Sequence, residues 1–262
     1  MQPPDPATTV ELARKARVRL LQMHYEAGVG HIGGNLSALD AMLYLHLRVM
    51  KRDDVFVLSK GHAAGALYIT LWAVGQIADV ELTQFHKDGT KLAGHPVARW
   101  HPGIPFATGS LGHGLGLAAG VALGKRLRRE TGNVYCLMSD GECEEGSSWE
   151  SLIFARHHGL SNLVALIDAN GLQGFGRTTE VASLEPLREK IGALGLRVEE
   201  VDGHAPEGLR APLDLPRSGP LVVVLRTTKG HGVSFMEDRV EWHYLPMTES
   251  QYRQALSEVA QR

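Results

Sequence analysis

Two polar clusters in the second half of the sequence each follow a run of apolar residues, and each offers an oxygen donor beside a glycine. Ser139-Asp140-Gly141-Glu142 follows Val134 to Met138, and Asp168-Ala169-Asn170-Gly171 follows Leu163 to Ile167. A carboxylate and a side-chain carbonyl make a partial shell for a hard divalent cation. Magnesium in particular takes one or two protein carboxylates and fills its octahedron with water and phosphate oxygens. Gly141 lets the backbone approach a phosphate with no Cβ in the way, and a helix start behind it would add N–H donors. Asp-Gly and Asn-Gly pairs also form ordinary turns; the case for a site rests on finding two at strand ends. Histidine supplies the second set of candidates. There are thirteen, together with thirty glycines, and several histidines sit in glycine-rich runs. Imidazole titrates near neutrality and can carry protons or donate to an oxyanion. No His-Glu-x-x-His or paired-cysteine spacing points to zinc. His24, His46, His86, His157, His158 and His204 are read as turn residues or satisfied polar groups.

The elements that must position these residues follow a parallel α/β rhythm. Val55 to Leu58, Val134 to Met138, Leu163 to Ile167, Leu196 to Val201 and Leu221 to Leu225 are runs of strand length. Helical spacing is predicted over Thr8 to Glu26, from a Ser37 cap through Leu47, over Gly61 to Gly75, over Trp149 to His158 and over Leu184 to Leu194. Buried strands alternating with helices imply a doubly wound, mostly parallel sheet with helices on both faces. Ligands of such sheets sit beyond the carboxyl ends of the strands, where both polar clusters fall. Pro96, Pro102 and Pro105 mark an irregular stretch from Gly94 to Gly109, and Pro206, Pro212 and Pro216 oppose a regular helix between Asp202 and Gly219. With no internal repeat and no linker, residues 1–262 read as one domain.

Composition narrows the function classes. The charge of −2, from 27 Lys and Arg against 29 Asp and Glu, argues against nucleic acid or an acidic membrane as partner. No apolar run reaches the roughly 20 residues of a membrane span, and Met1 to Thr9 has no apolar secretory core. Cys136 and Cys143 are too few for a disulfide framework. The expected location is cytoplasmic.

The stretch Ser139 to Gly174 closely resembles the thiamin-diphosphate motif of transketolases. That motif opens with Gly-Asp-Gly, enters an acidic helix start and closes with an asparagine about 30 positions beyond its aspartate, a crossover length. Ser139 stands where the family usually has glycine. The resemblance implies that Asp140 and Asn170 bind magnesium (or calcium or manganese), with the Leu172 carbonyl as third ligand. It places Gly141 and Glu142 at the diphosphate, and matches Glu145 and Glu150 to acids near the interface between paired chains. Four further segments match in the same order: Gly28 to Ser37 with His31, Leu58-Ser59-Lys60-Gly61-His62, Gly94-His95-Pro96, and Thr108 to Gly114. By resemblance, Gly109, Ser110 and Leu111 contact the cofactor rings, His62 approaches the diphosphate, and His31 and His95 line the substrate channel. Arg226 to Glu237 resembles the last strand and loop of the family's N-terminal half. His243 takes the place of another active-site histidine that also touches the cofactor, although Tyr244 follows where the family has glycine. Lys229 fits either a phosphate contact or a solvated side chain, with solvation the preferred reading.

The resemblance, from about Val10 to Met247, implies a thiamin-diphosphate-binding fold in its diphosphate-binding form. The family's pyrimidine-binding domain, with the glutamate that activates the cofactor, lies downstream in full-length enzymes. Here it is expected on a C-terminal companion chain, in an α2β2 assembly. The implied reaction moves a two-carbon ketol unit from a ketose, often phosphorylated, to an aldehyde. The alternatives are an acyloin-forming or sugar-modifying thiamin enzyme of a specialised pathway, or a non-catalytic scaffold of the same fold. A nucleotide-binding Rossmann domain is disfavoured, because no G-x-G-x-x-G follows the first strand.

Overall fold

The computed structural model describes residues 6–261; most of the Met1–Thr9 segment lies outside the residues whose side chains are described. Helix α1, Pro6–Ala27, closes on Gly28, whose left-handed φ of 65° lets its N–H return to the His24 carbonyl at 3.0 Å. Helix α2, Ile32–Tyr44, starts five residues before the predicted cap. Ser37 therefore lies inside the helix. Its hydroxyl donates to the Gly34 carbonyl and to Asp168, so a tertiary partner rather than a helix end explains this serine.

Strand β1, Val55–Leu58, leads through one 3-10 turn at Gly61–Ala63 into α3, Ala64–Ala73. After the short α4, Asp79–Leu82, residues 83–113 form neither helix nor strand, an irregular stretch that contains the expected Gly94–Gly109 and extends beyond it on both sides. The chain continues with α5 (Gly114–Leu127), β2 (Val134–Ser139), α6 (Gly146–His157) and β3 (Leu163–Ala169). A small hairpin follows, β4 (Leu172–Gln173) and β5 (Gly176–Arg177), then α7 (Thr178–Val181) and α8 (Leu187–Gly192). The last elements are β6 (Arg197–Asp202), α9 (Arg210–Asp214), β7 (Leu221–Arg226) and α10 (Glu249–Ala260). Helix α8 is shorter than the predicted Leu184–Leu194, and a 3-10 turn with the five-residue α9 forms the irregular crossover expected there.

Five strands pair in parallel in the order β1-β2-β3-β7-β6. Successive side chains of a strand point to opposite faces, and each face here builds its own core. Leu137, Leu166 and Val223 pack with α1, α2, α3 and α10, while Cys136, Ala165 and Val224 pack with α5, α6 and α8. This two-sided burial is why β2, β3 and β7 read as unbroken apolar runs. Strand β6 departs from that expectation. Arg197, Glu199 and Glu200 leave it only partly buried, and it lies at the sheet edge, where charge discourages pairing with another chain. Among the described residues, no helix is long and apolar enough to cross a membrane.

The register sets up the site. Ser139 pairs with Asp168, and Asp168 with Leu225, so the three central strands end level and their following residues share one rim. Leu166 on β3 is fully buried. Leu166→Ala should lower unfolding free energy by about 2–5 kcal/mol, and Val80→Ala, at an exposed position, by no more than about 0.5 kcal/mol. Urea titrations of the two variants give the comparison.

Candidate active site

At the tip of β2, Asp140 is 7% exposed and its carboxylate accepts from Gly141 N–H at 2.8 Å and Gly171 N–H at 2.6 Å. Burial, reinforced by nearby Asp168, pushes its carboxyl up to about 6. Asn170, one strand over, uses its Oδ1 to accept from Leu172 N–H at 3.1 Å, which leaves that oxygen a second lone pair. Asp140 and Asn170 line one cavity of about 220 Å³ together with Gly171, Thr227 and Arg226. The expected acid and amide therefore meet at a common space, and a carboxylate destabilised by burial suits a compensating cation.

Beneath this rim lies an ion pair that sequence reading passed over. Lys60 and Asp168 are both fully buried and in direct contact. Asp168 also accepts from the hydroxyls of Ser37 and Thr227, and Lys60 donates to the Gly34 carbonyl at 3.1 Å. Burial alone would raise the Asp168 carboxyl, but Lys60 and the two hydroxyls hold it below its ordinary range. The signal was present: both residues stand in the polar clusters at strand ends.

Four of the expected histidines gather at one place. The His31 ring centroid lies 5.8 Å from that of His62, 5.7 Å from His95 and 5.1 Å from His243, and His62 lies 5.4 Å from His243. His31 enters α2 with a left-handed φ of 64° and its N–H on the His243 carbonyl at 3.0 Å. Such a backbone in a residue with a Cβ costs on the order of 1–3 kcal/mol and is kept where the surroundings impose it. Burial, then neighbouring positive charge, lowers these imidazoles. His31 falls to about 4 and His243 to about 3, and His62 lies well below its ordinary value with Lys60 adding to the effect. At neutral pH the three are uncharged, each with one N–H to give and one lone pair to receive.

Lys229 joins the two ends of the site, against the expectation that it is solvated. It is 2% exposed, and its ammonium lies 3.0 Å from His243 Nδ1 and 3.5 Å from the Leu172 carbonyl. Burial and the charge of Lys60 lower it to about 8, so it stays mostly protonated near neutrality. Its place just after β7, beside Gly230, was the available signal.

A glycine-rich loop forms the adjoining wall. Gly109 has a φ of 141°, and a Cβ there would meet the His95 ring at 2.7 Å, so any side chain would close the gap between them. Thr108 donates to the Leu58 carbonyl at 2.6 Å. Ser110 is exposed and Leu111 half-buried. Glu142, expected at the diphosphate, is fully buried and turned inward. It accepts from Ser59 Oγ and from Gly112 N–H, and so anchors the loop. Glu145 and Glu150 lie on the surface.

A buried carboxylate and a buried ammonium stand on the rim of a doubly wound α/β sheet, where domains of this class hold their ligands. The family model described as transketolase, thiamine diphosphate binding domain, matches residues 10–259. One of the named subunits of an apulose-4-phosphate transketolase, from Phocaeicola vulgatus, is 39% identical, covering 97% of this chain and 95% of that protein. The 6-deoxy-6-sulfo-D-fructose transketolase subunit SqwG of a Clostridium species is 36% identical, covering 88% and 89%. Human transketolase is 35% identical over 95% of this chain but only 41% of its own length. The transketolase structure from Leishmania mexicana superposes with a TM-score of 0.89 at 26% identity, over 96% of this chain and 41% of that one. The chain belongs to the transketolase family, as its thiamine diphosphate binding domain.

The ion pair under the site gives a stability test. Removing one partner of a buried pair strands the other charge and costs about 3–5 kcal/mol. Lys60→Met should do so, and Lys60→Met with Asp168→Leu should recover part of the loss. Guanidinium unfolding of single and double variants distinguishes this from a surface-like contribution below about 1 kcal/mol.

Proposed function

We propose that this chain is the diphosphate-binding subunit of a split transketolase, active with a companion that carries the pyrimidine-binding half. The reading is carried by one observation: Asp140, Asn170 and the Leu172 carbonyl connect through Lys229 to a cluster of four histidines. It is supported by relatives named as subunits that match this chain over nearly their whole lengths.

In this reading Asp140, Asn170 Oδ1 and the Leu172 carbonyl would hold magnesium, an ion that favours a few protein oxygens together with water and phosphate. Lys229 faces the same diphosphate, and its charge is countered there. Gly141 and the Gly109–Leu111 loop admit the cofactor closely. Thiamin diphosphate supplies the carbanion-stabilising chemistry when bound. The protein supplies proton handling: neutral His31, His62, His95 and His243 accept or donate at the hydroxyl and carbonyl oxygens of a sugar. The donor is a ketose, the transferred group a two-carbon ketol unit and the acceptor an aldehyde. The companion supplies the activating glutamate, in an α2β2 assembly working in the cytoplasm.

The test is co-purification with the companion followed by calorimetric titration with thiamin diphosphate. Binding should require magnesium. Asp140→Ala should abolish that binding and ketol transfer while leaving the circular dichroism spectrum unchanged; full activity in Asp140→Ala would remove the metal assignment. Ketose phosphates should be consumed without gas, whereas carbon dioxide release from 2-oxo acids would favour an acyloin-forming enzyme. Absence of cofactor binding at any concentration would favour a scaffold.

A further inference from the structure

Away from the four clustered histidines, three more metal-ligating side chains meet: Asp40 of α2, His204 after β6 and His231 after β7. Their geometry speaks against an ion. The His204 and His231 rings stack, 3.5 Å between centroids and 14° between planes, whereas imidazoles sharing an ion converge through in-plane lone pairs. Asp40 is already paired with Arg17 of α1. Both His204 nitrogens are also engaged. Thr228 N–H is a donor only, so His204 Nε2 accepts from it at 2.8 Å and carries no proton. The proton lies on Nδ1, which donates to Asp40 Oδ2 at 3.0 Å. A neutral imidazole can accept from a backbone N–H and donate to a carboxylate at the same time, and the Asp40 carboxylate selects the tautomer that does so.

Thr228 sits in the loop that carries Lys229 into the site; Asp238 N–H donates to the Lys229 carbonyl at 3.0 Å, and three further contacts tie the loop to separate parts of the molecule. Thr227 Oγ1 donates to Asp168, Gly230 N–H donates to the Gly33 carbonyl at 2.9 Å, and Thr228 N–H donates to His204. The first two lead to the site floor and to α2 beside His31. The third leads outward through His204 to Asp40 and Arg17, residues with no part in the site described above. The loop has little slack: a Cβ on Gly33 would already stand 3.1 Å from Lys229 Cγ.

We propose that Asp40 and His204 form a positioning pair for Lys229: by holding the Thr228 N–H, they keep the neighbouring ammonium between the Leu172 carbonyl and His243, where it meets the diphosphate. The last step rests on the diphosphate reading of the site. His204 touches no reacting atom and acts only through the loop.

Two substitutions separate its roles. His204→Phe keeps a ring to stack on His231 and removes both hydrogen bonds; His204→Gln offers an amide oxygen to Thr228 and an amide N–H to Asp40. In the complex with the companion chain, His204→Phe should weaken thiamin diphosphate binding about 2- to 12-fold, the range expected for the net loss of one hydrogen bond. His204→Gln should recover most of the affinity. In a Lys229→Met background, His204→Phe should cause no further loss, because the effect runs through the missing ammonium. Hydrogen exchange at Thr228 should accelerate in His204→Phe while the β2 and β3 amides stay protected. Additive losses in the double variant, or unchanged exchange at Thr228, would overturn the proposal. Wild-type complex that fails to bind the cofactor while His204→Phe still releases Thr228 would sink the diphosphate reading and leave the clamp standing. Equal affinity in wild type and His204→Phe would sink the positioning role alone.

Discussion

A lysine and an aspartate with no access to solvent lie under the site, and the rim above depends on them. Removing two charges from water costs several kcal/mol per ion even after relaxation, so such a pair persists only where its remaining donors and acceptors are matched. Here they are: Ser37 and Thr227 hydroxyls on Asp168, the Gly34 carbonyl on Lys60. Those partners come from α2 and from the end of β7, while the pair itself comes from the ends of β1 and β3. One buried contact therefore fixes four chain segments relative to one another. Each of the four carries a neighbouring site residue: His62, His31, Asn170 and Lys229.

The electrostatics above the pair follow from crowding positive or potentially positive groups into a poorly solvated space. Lys60 and Lys229 remain the cations, and the imidazoles yield. His62 and His243 lose their protons to burial first and to lysine charge second. The outcome is a site in which the charged side chains Lys60, Lys229, Asp140 and Asp168 gather at the strand tips beside a cluster of uncharged hydrogen-bonding rings.

Much of this can be read from the sequence, for physical reasons that also explain the gaps. Strands β2, β3 and β7 are legible because two-sided burial writes a continuous apolar run, and their tips because polar residues interrupt it. Strand β6 is legible too, from Leu196 to Val201, but its partial burial is not, because its charged residues belong to an edge that only topology reveals. Ser37 reads as a helix cap because serine often is one; its actual partner, Asp168, is 131 positions away. Lys229 reads as solvated because exposure is the usual fate of that side chain; its place just after β7 hints at the site, but the close approach of Gly33 leaves no local trace. Asp168 lies in plain view within its cluster, but its role depends on Lys60, 108 positions away. Patterns of nearest neighbours reach the elements and the motif; pairings across the sheet do not leave that kind of trace.

The span of those pairings bears on how the protein acquires function. His31 and His243 stand near opposite ends of the chain, and the contacts beneath them all bridge separated segments. Parallel pairings of such range close late, after the entropy of long loops has been paid. A chain in which one half has formed holds only part of the binding site, His31, His62 and His95 on one side or Asp140, Asn170, Lys229 and His243 on the other. Only the finished domain brings both sets together, so a ligand that touches both stabilises the complete fold by mass action.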